Sequence, residues 1–297
     1  LREEGFDLAV TGFDAVEIDR LLAAVDDPAV DGLVDDEAVP EAPAEPVTRP
    51  GDVWILGDHR LVCGDSTTPE PLRALMGADR ADLLHTDPPY GVDYNGGWRN
   101  KGLELWGTDG ARAVKNDRLV GDELVAFLVA ALGGAVEYLK PGAPWYIWHG
   151  SVTTSEFYAA IAALKRKPQA QIIWAKNSFA GGFADYRNQH EPCIYVSGGK
   201  ASWYGGRSES TLWTCDRDLS GLHPTMKPVA LVERALRNSS KAGDIVLDLF
   251  GGSGSTLIAA HKLGRRARLV EIDPRFCDVI VERWEQFTGG KATRGAD

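Results

Sequence analysis

No two cysteines of the sequence form a CxxC pair: Cys63, Cys193, Cys215 and Cys277 are scattered along the chain. That scatter excludes a disulfide-stapled fold and a structural zinc site, and it fits a reducing, cytoplasmic setting. Long apolar runs are lacking too. The longest, Leu124 to Val136, is too short to span a bilayer and holds two glycines, so a core helix is expected and no membrane partner. No signal-peptide pattern opens the chain, and Leu1 in place of a methionine points to a piece of a longer protein. Basic excess is missing as well: the net charge is −11. All of it lies in residues 1–50, where 14 Asp and Glu face three Arg, whereas from Gly51 onward 29 acidic residues face 29 basic ones. A neutral body remains free to carry a local basic groove, so bulk acidity does not exclude nucleic acid.

What is present is a chain of 297 residues with 44% hydrophobic content, ample for a core. TGFDAVEIDRLLAAV, from Thr11 to Val25, has the period of one capped amphipathic helix. The following stretch, rich in proline and acidic residues up to Asp52, has a linker's composition. From Gly51 short apolar runs alternate with helical patterns. WILGD and RLVCGD read as a strand pair at an edge, and ADLLHT, APWYIWH, AQIIWAK, EPCIYV, DIVLDLF and RARLVEID as further strands. PEPLRALMG, DELVAFLVAALGGAVEYLK, EFYAAIAALKRK, VALVERALRNSS, STLIAAHKLG and FCDVIVERWEQF read as helices. This alternation predicts an α/β fold, a doubly wound and mainly parallel sheet with helices on both faces. The division expected is an acidic helix and linker over 1–50 and one catalytic domain over 51–297.

Within DIVLDLFGGSGSTLIAAHKLGRRARLVEID a strand runs into a glycine turn, a helix and a second strand ending in an acid. Gly251, Gly252 and Gly254 let the backbone approach a ligand where side chains would collide, and the helix that follows offers free N–H groups. Glu271, seventeen residues after Gly254, is placed to accept hydrogen bonds from both hydroxyls of a ribose. The glycine pattern lacks the third glycine of GxGxxG, so its weight comes from Glu271.

HTDPPYG, His85 to Gly91, follows the apolar strand ADLLHT, at the strand end where α/β proteins bind ligands. The exocyclic amine of a nucleobase is a poor nucleophile because its lone pair is delocalised into the ring. Two hydrogen-bond acceptors on its protons would draw the nitrogen toward tetrahedral geometry and stabilise the positive charge that develops there. The Asp87 carboxylate and the Pro88 carbonyl supply two acceptors, and the tandem Pro88 and Pro89 restrict the backbone that carries them. Tyr90 offers a flat face for a base swung out of the duplex. Standing alone, DPPY is also compatible with an ordinary turn.

Together these motifs resemble the β group of S-adenosylmethionine-dependent DNA amino-methyltransferases. DPPYGVDY matches the catalytic motif, HPTMKPVALVERAL (His223 to Leu236) the segment before the cofactor strand, VLDLFGGSGST the cofactor loop, and VEIDPRFCDVIVERW the acidic strand end with its helix. DYRNQHEPCIYV is similar to a segment of phage and prophage members. The resemblance implies a seven-stranded Rossmann-like methyltransferase sheet and S-adenosylmethionine as cofactor. It implies Asp87, Pro88, Pro89 and Tyr90 as the catalytic clamp. Asp248, Phe250, Gly251, Gly252, Gly254 and Ser255 would line the cofactor, with Glu271 on its ribose. Thr225 and Lys227 would lie near its methionine carboxylate and Asp65 near its adenine. DNA is the implied partner, its target adenine flipped out, and a homodimer is a modest expectation. Residues 1–50 resemble the stretch that joins a ParB-like domain to a methyltransferase in phage and mobile-element proteins.

Adenine N6 rather than cytosine N4 rests on Asp87, since relatives acting on cytosine more often carry Ser at that place. A nicotinamide-dependent oxidoreductase would share the glycine turn and acidic strand end, but it leaves DPPY and HPTMKP unexplained. The interval 197–222, where this family usually chooses its DNA sequence, is short, which implies a short or relaxed recognition site. Tyr94 to Gly107, with Trp98, Arg99, Lys101 and Trp106, is either a loop closing over DNA or a solvated loop with packed tryptophans. His149, His190 and His223 share no ligand spacing, and no metal is expected. Lys165 to Lys167 and Arg265, Arg266 and Arg268 read as solvated helix ends. Trp145, Tyr146 and Trp148 read as core.

Overall fold

The computed structural model describes residues 18, 29–92, 117–177, 185–197, 203–206, 208–215 and 226–295. Among these residues ten strands form one sheet: β1 (Val53–Leu56), β2 (His59–Cys63), β3 (Leu83–Thr86), β4 (Trp145–Trp148), β5 (Ala170–Ala175), β6 (His190–Val196), β7 (Leu212–Thr214), β8 (Ile245–Asp248), β9 (Arg266–Glu271) and β10 (Thr293–Arg294). Their spatial order is β10-β1-β2-β9-β8-β3-β4-β6-β5-β7. The pairs β2 with β9, β9 with β8, β8 with β3 and β3 with β4 are all parallel, whereas β6 runs antiparallel to both of its neighbours. The expected count of seven strands is not met. β10 and β1 extend one edge and β7 the other, and both β7 and β10 are too short to show a period of their own.

Among the described residues six α-helices cover the sheet: α1 (Pro69–Met76), α2 (Gly121–Val136), α3 (Thr154–Ala163), α4 (Val229–Ser239), α5 (Ser255–Lys262) and α6 (Pro274–Thr288). Buried side chains of α1, α2 and α3, among them Leu72, Leu128 and Phe157, pack on one face. Those of α4, α5 and α6, including Val232, Leu257 and Ile280, pack on the other. Neighbouring strand residues divide between the two clusters, as Leu83 and Leu84 do, and Tyr146 and Ile147, because side chains of a strand alternate in direction. A strand buried on both faces has no solvent-facing side to show, which is why WYIW and the leading residues of LLHT and IVLD are apolar without alternation. Trp145, Tyr146 and Trp148 are buried as expected. Trp213 of β7 is buried too, its ring centroid 6.5 Å from that of Trp148 and 6.2 Å from that of Tyr146.

Two expectations need correction. Arg265 and Arg268 are buried, not solvated. Arg265 donates to the carbonyls of Leu263 and Ser240, and Arg268 pairs with Asp79 at 2.9 Å and donates to the carbonyl of Asp58, partners that sequence spacing does not reveal. Residues 29–50 contain neither helix nor strand, yet they lie along α5 and α6: Val30 N–H donates to the Lys262 carbonyl and Leu33 N–H to the Phe287 carbonyl, both at 2.8 Å. The proposed helix at Thr11 to Val25 lies outside the described residues except for Ile18, which is helical. None of the four cysteines, all within the described residues, takes part in a disulfide. Among the described residues no helix is long and apolar enough to cross a membrane.

Candidate active site

Four neighbouring parallel strands end at one edge of the sheet, and each delivers a residue singled out from the sequence. β2 leads to Asp65, β9 ends on Glu271, β8 leads to the glycine loop, and β3 leads to Asp87. The Thr86 hydroxyl stitches two of these ends together. It donates to Asp248 Oδ1 at 3.1 Å and accepts from Leu249 N–H at 3.2 Å. The DPPY turn and the glycine loop, 164 residues apart from Asp87 to Gly251, therefore leave the sheet side by side. Asp248 is buried, and desolvation pushes its carboxyl up to about 7 despite the hydrogen bonds that it accepts, including one from Phe250 N–H.

Gly254, at φ +86°, turns the chain into α5, and that left-handed conformation strains any residue with a Cβ. Gly251 N–H donates to the Val270 carbonyl and Gly252 N–H to Glu271 Oε2, both at 2.8 Å. Glu271 Oε1 accepts from Asp273 N–H at 2.8 Å. Burial raises the Glu271 carboxyl to about 7, against the pull of those N–H donors. Gly64, next to Asp65, is tied to the Glu271 carbonyl at 2.9 Å, while the Asp65 carboxylate accepts from Thr67 N–H and its hydroxyl. An ionised carboxylate accepts about four hydrogen bonds. Beyond the backbone N–H groups that it accepts from, Glu271 therefore has capacity for a ribose hydroxyl, and the bare backbone at Gly252, where among the described residues an added Cβ would meet only the Phe250 carbonyl at 3.9 Å, leaves room beside it. These residues fit S-adenosylmethionine.

On the other side Asp87 is held from two directions. Its Oδ1 accepts from the Tyr90 hydroxyl at 2.6 Å and its Oδ2 from Lys227 Nζ at 2.7 Å. Lys227 is buried, and its ammonium also donates to Tyr90 Oη and meets Glu191 Oε2, both at 2.8 Å. Burial lowers the lysine's pKa, but the charges of Asp87 and Glu191 outweigh that and hold it above its ordinary value. Burial likewise raises Glu191, and the ammonium groups of Lys227 and Lys176 outweigh it, bringing the carboxyl down to about 2. Two carboxylates and two ammonium groups thus form one compact charge-balanced cluster under the DPPY turn. All three donors of Lys227 meet partners here, although the family resemblance puts this residue at the cofactor's carboxylate. The Tyr90 ring stands edge-on to Phe157, with centroids 6.5 Å apart, and Lys227 Nζ lies 5.3 Å from its centroid.

The turn is fixed from outside as well. Asp117 Oδ1 accepts from three successive N–H groups, Tyr90 at 3.1 Å, Gly91 at 3.0 Å and Val92 at 3.4 Å. Thr153 Oγ1 donates to the Tyr90 carbonyl at 2.8 Å. An added Cβ on Gly91 would come within 2.2 Å of the Leu119 carbonyl oxygen, so glycine alone fits. Glu191, Lys176, Thr86 and Asp117 were missed by sequence reasoning. Glu191 and Thr86 lie inside quoted motifs and were within reach, whereas Asp117 carries no local signal. Thr225, His223 and the stretch Tyr94 to Gly107 lie outside the described residues, as does half of 197–222. His149 is buried with Nδ1 3.0 Å from the Gly150 carbonyl, and among the described residues no cluster of metal-ligating side chains occurs.

Comparison with known proteins shows the family. The family model N6_N4_Mtase, described as DNA methylase, matches residues 81–282, and a ParB-methyltransferase HTH domain model matches residues 1–50. The Type II methyltransferase M2.DpnII of Streptococcus pneumoniae is 28% identical over 232 residues, covering 71% of this chain and 84% of the relative. The Type II methyltransferase M.HpaI of Haemophilus parainfluenzae is 26% identical over 261 residues, covering 78% and 76%. Among solved structures, M1.HpyAVI in complex with SAM superposes with a TM-score of 0.54 at 20% identity, covering 75% of this chain and 98% of that one; such a likeness concerns the Rossmann-like fold. Since the family model spans more than half of its length, including both the DPPY turn and the glycine loop, this chain belongs to the N6_N4 DNA methylase family.

Proposed function

We propose that the chain methylates the 6-amino group of adenine in DNA, on a base turned out of the helix, with S-adenosylmethionine as donor. The observation that carries this reading is the juxtaposition of Asp87 with the glycine loop, stitched by Thr86 and Asp248. When bound, the cofactor supplies an electrophilic sulfonium methyl group. Glu271, Gly252 and Gly254 would hold it, with Asp65 and Phe250 beside them and Asp248 and Ser255 beneath and behind the loop. The Asp87 carboxylate and the Pro88 carbonyl accept from the amine and stabilise the positive charge that develops on its nitrogen. Asp87 already accepts from Tyr90 and Lys227, but a carboxylate has acceptor capacity left for one more N–H. Lys227 keeps that carboxylate oriented, and the Tyr90 ring offers a stacking face for the base.

The runner-up acceptor is the cytosine 4-amino group, which the same clamp would serve; aspartate as first residue of the motif favours adenine. The nicotinamide reading loses its support with the family match. The proposal includes 51–297 as the catalytic domain, 197–222 as the segment that chooses the DNA sequence, and a homodimer, which sedimentation would test. Tritium transfer from labelled S-adenosylmethionine into DNA, followed by mass spectrometry of the nucleosides, tests the reaction. N6-methyladenine is expected, N4-methylcytosine would select the runner-up, and no transfer to any DNA would refute both.

A further inference from the structure

The acidic segment 29–50 has the composition of a tether but the bonding of a strap. Val30 and Leu33 donate to the carbonyls of Lys262 and Phe287, and the Asp36 carboxylate pairs with Lys262. Glu37 Oε1 accepts from Val229 N–H at 2.6 Å, at the start of α4 and two residues after Lys227. At the far end Val47 and Thr48 donate to the Asp278 carboxylate. An added Cβ on Gly32 would fall within 2.2 Å of the Phe287 ring, so the strap lies against α6 as closely as a backbone can.

Where strap, glycine loop and the Met226–Lys227 segment converge stands one buried side chain, Arg283 of α6, 2% exposed. One of its terminal nitrogens donates to the Ser253 carbonyl at 2.9 Å, inside the turn between Gly252 and Gly254, and lies 3.8 Å from Met226 Sδ. The other donates to the Asp36 carbonyl at 2.6 Å. Burying a guanidinium is costly, and an apolar side chain would fill the same space without that cost. What a planar fork adds is two fixed donor directions at once, one toward the loop and one toward the strap.

We propose that Arg283 is a positioning residue for the cofactor loop and that the strap, by holding its other end, is part of the cofactor site. The conformation that Gly252 and Gly254 present to the cofactor then depends on how residues 29–50 are seated. The inference rests on the reading of this loop as the S-adenosylmethionine site. The residues matched by the HTH model end in this strap, so the N-terminal segment and the loop share one mechanical connection.

The test uses the full chain with Arg283→Lys, which keeps the charge but reaches only one of the two partners, and Lys262→Met, which loosens the strap without touching the loop. The readouts are S-adenosylmethionine affinity by calorimetry, amide hydrogen exchange over residues 251–255 in the free protein, and KM for DNA. Arg283→Lys is expected to weaken cofactor binding about five- to tenfold, the equivalent of one net hydrogen bond, with KM for DNA unchanged. Both variants should speed exchange in the loop. Unchanged affinity and unchanged loop exchange in Arg283→Lys, with only a lowered melting temperature, would make the arginine a structural staple and overturn the inference. Should Arg283→Lys fail to fold, Lys262→Met decides by the same two readouts. If the wild-type chain takes up no S-adenosylmethionine, the proposed function fails, whereas loop exchange still decides whether Arg283 and the strap hold the loop.

Discussion

Replacing Asp87 with alanine separates its role in the reaction from its role in the fold, and the cluster around it allows both to be sized. At 2.7 Å from Lys227 Nζ, an ion pair in an effective dielectric of about 20 is worth roughly 6 kcal/mol before desolvation. Breaking a buried pair by removing one partner usually costs about 3–5 kcal/mol. The cost here falls below that range, because Lys227 keeps Glu191 and Tyr90 at 2.8 Å and the Asp87 side chain is 29% exposed. About 1–2 kcal/mol is expected, a loss of a few degrees in Tm for a domain of this size. The reaction should suffer far more. Loss of one preorganised group facing developing charge costs about 10²–10³ in kcat, and alanine also frees the Tyr90 hydroxyl, which Asp87 binds at 2.6 Å. Asp87→Ala should therefore lose at least about a thousandfold in kcat. Its affinity for S-adenosylmethionine should stay within about threefold of wild type, since the glycine loop and Glu271 are untouched. Tritium incorporation into DNA at saturating cofactor gives the first quantity and calorimetry the second. A folded Asp87→Ala protein retaining more than about a tenth of wild-type kcat would refute the assignment.

Asp117→Ala strips the acceptor from three successive N–H groups of the DPPY turn, so kcat should fall about ten- to a hundredfold with KM for the cofactor little changed; steady-state kinetics on both substrates checks this. Glu271 carries a folded pKa of about 7, so lowering the pH from about 8 to 6 protonates the proposed ribose acceptor and should weaken cofactor binding. Glu271→Gln should bind weakly with that pH dependence flattened, as calorimetry across the range would show. Glu271 and Asp248 are both raised to about 7 from ordinary carboxylate values. The folded state therefore binds protons that the unfolded state has released, and stability should fall as pH rises from about 4 to 7 and then level off. Melting temperatures of wild type and Asp248→Asn/Glu271→Gln across that window test the sign, with the variant losing most of the slope. Methylome sequencing after expression should reveal a short or relaxed recognition site, and a long strict motif would contradict the proposal for residues 197–222.

The order of strands and helices was legible because it depends on local pattern. Apolar runs marked the strands buried on both faces, whereas the start of α6 was read two residues late, at Phe276, because the cap lies outside the apolar pattern: the Asp273 carboxylate accepts from Arg275 N–H at 3.0 Å, just ahead of Pro274. Asp87 and Glu271 were legible since each ends a strand in a recognisable setting. Asp117 was not, because it lies 27 residues from the Tyr90 N–H that it binds, past a stretch without strong pattern. Arg283 was hidden in a helix whose charges look solvent-facing, and only its partners in the strap and the loop reveal why it is buried. β7 and β10 are two or three residues long and owe their conformation to neighbouring strands, which no window of the sequence displays.

β7 carries a consequence for how such an enzyme diversifies. Among the described residues it is the outermost strand on its side of the sheet, paired with β5 alone, and it sits inside the interval proposed to choose the DNA sequence. Trp213 pins it to the aromatic core near Trp148, so a span pinned at one interior ring and tethered to the sheet's border can be rewritten on either side of that pin while the strands bearing Asp87 and Glu271 keep their register. On the role proposed for 197–222, exchange of this span between related enzymes, with Trp213 retained, is expected to shift the target site on an unaltered chemical engine.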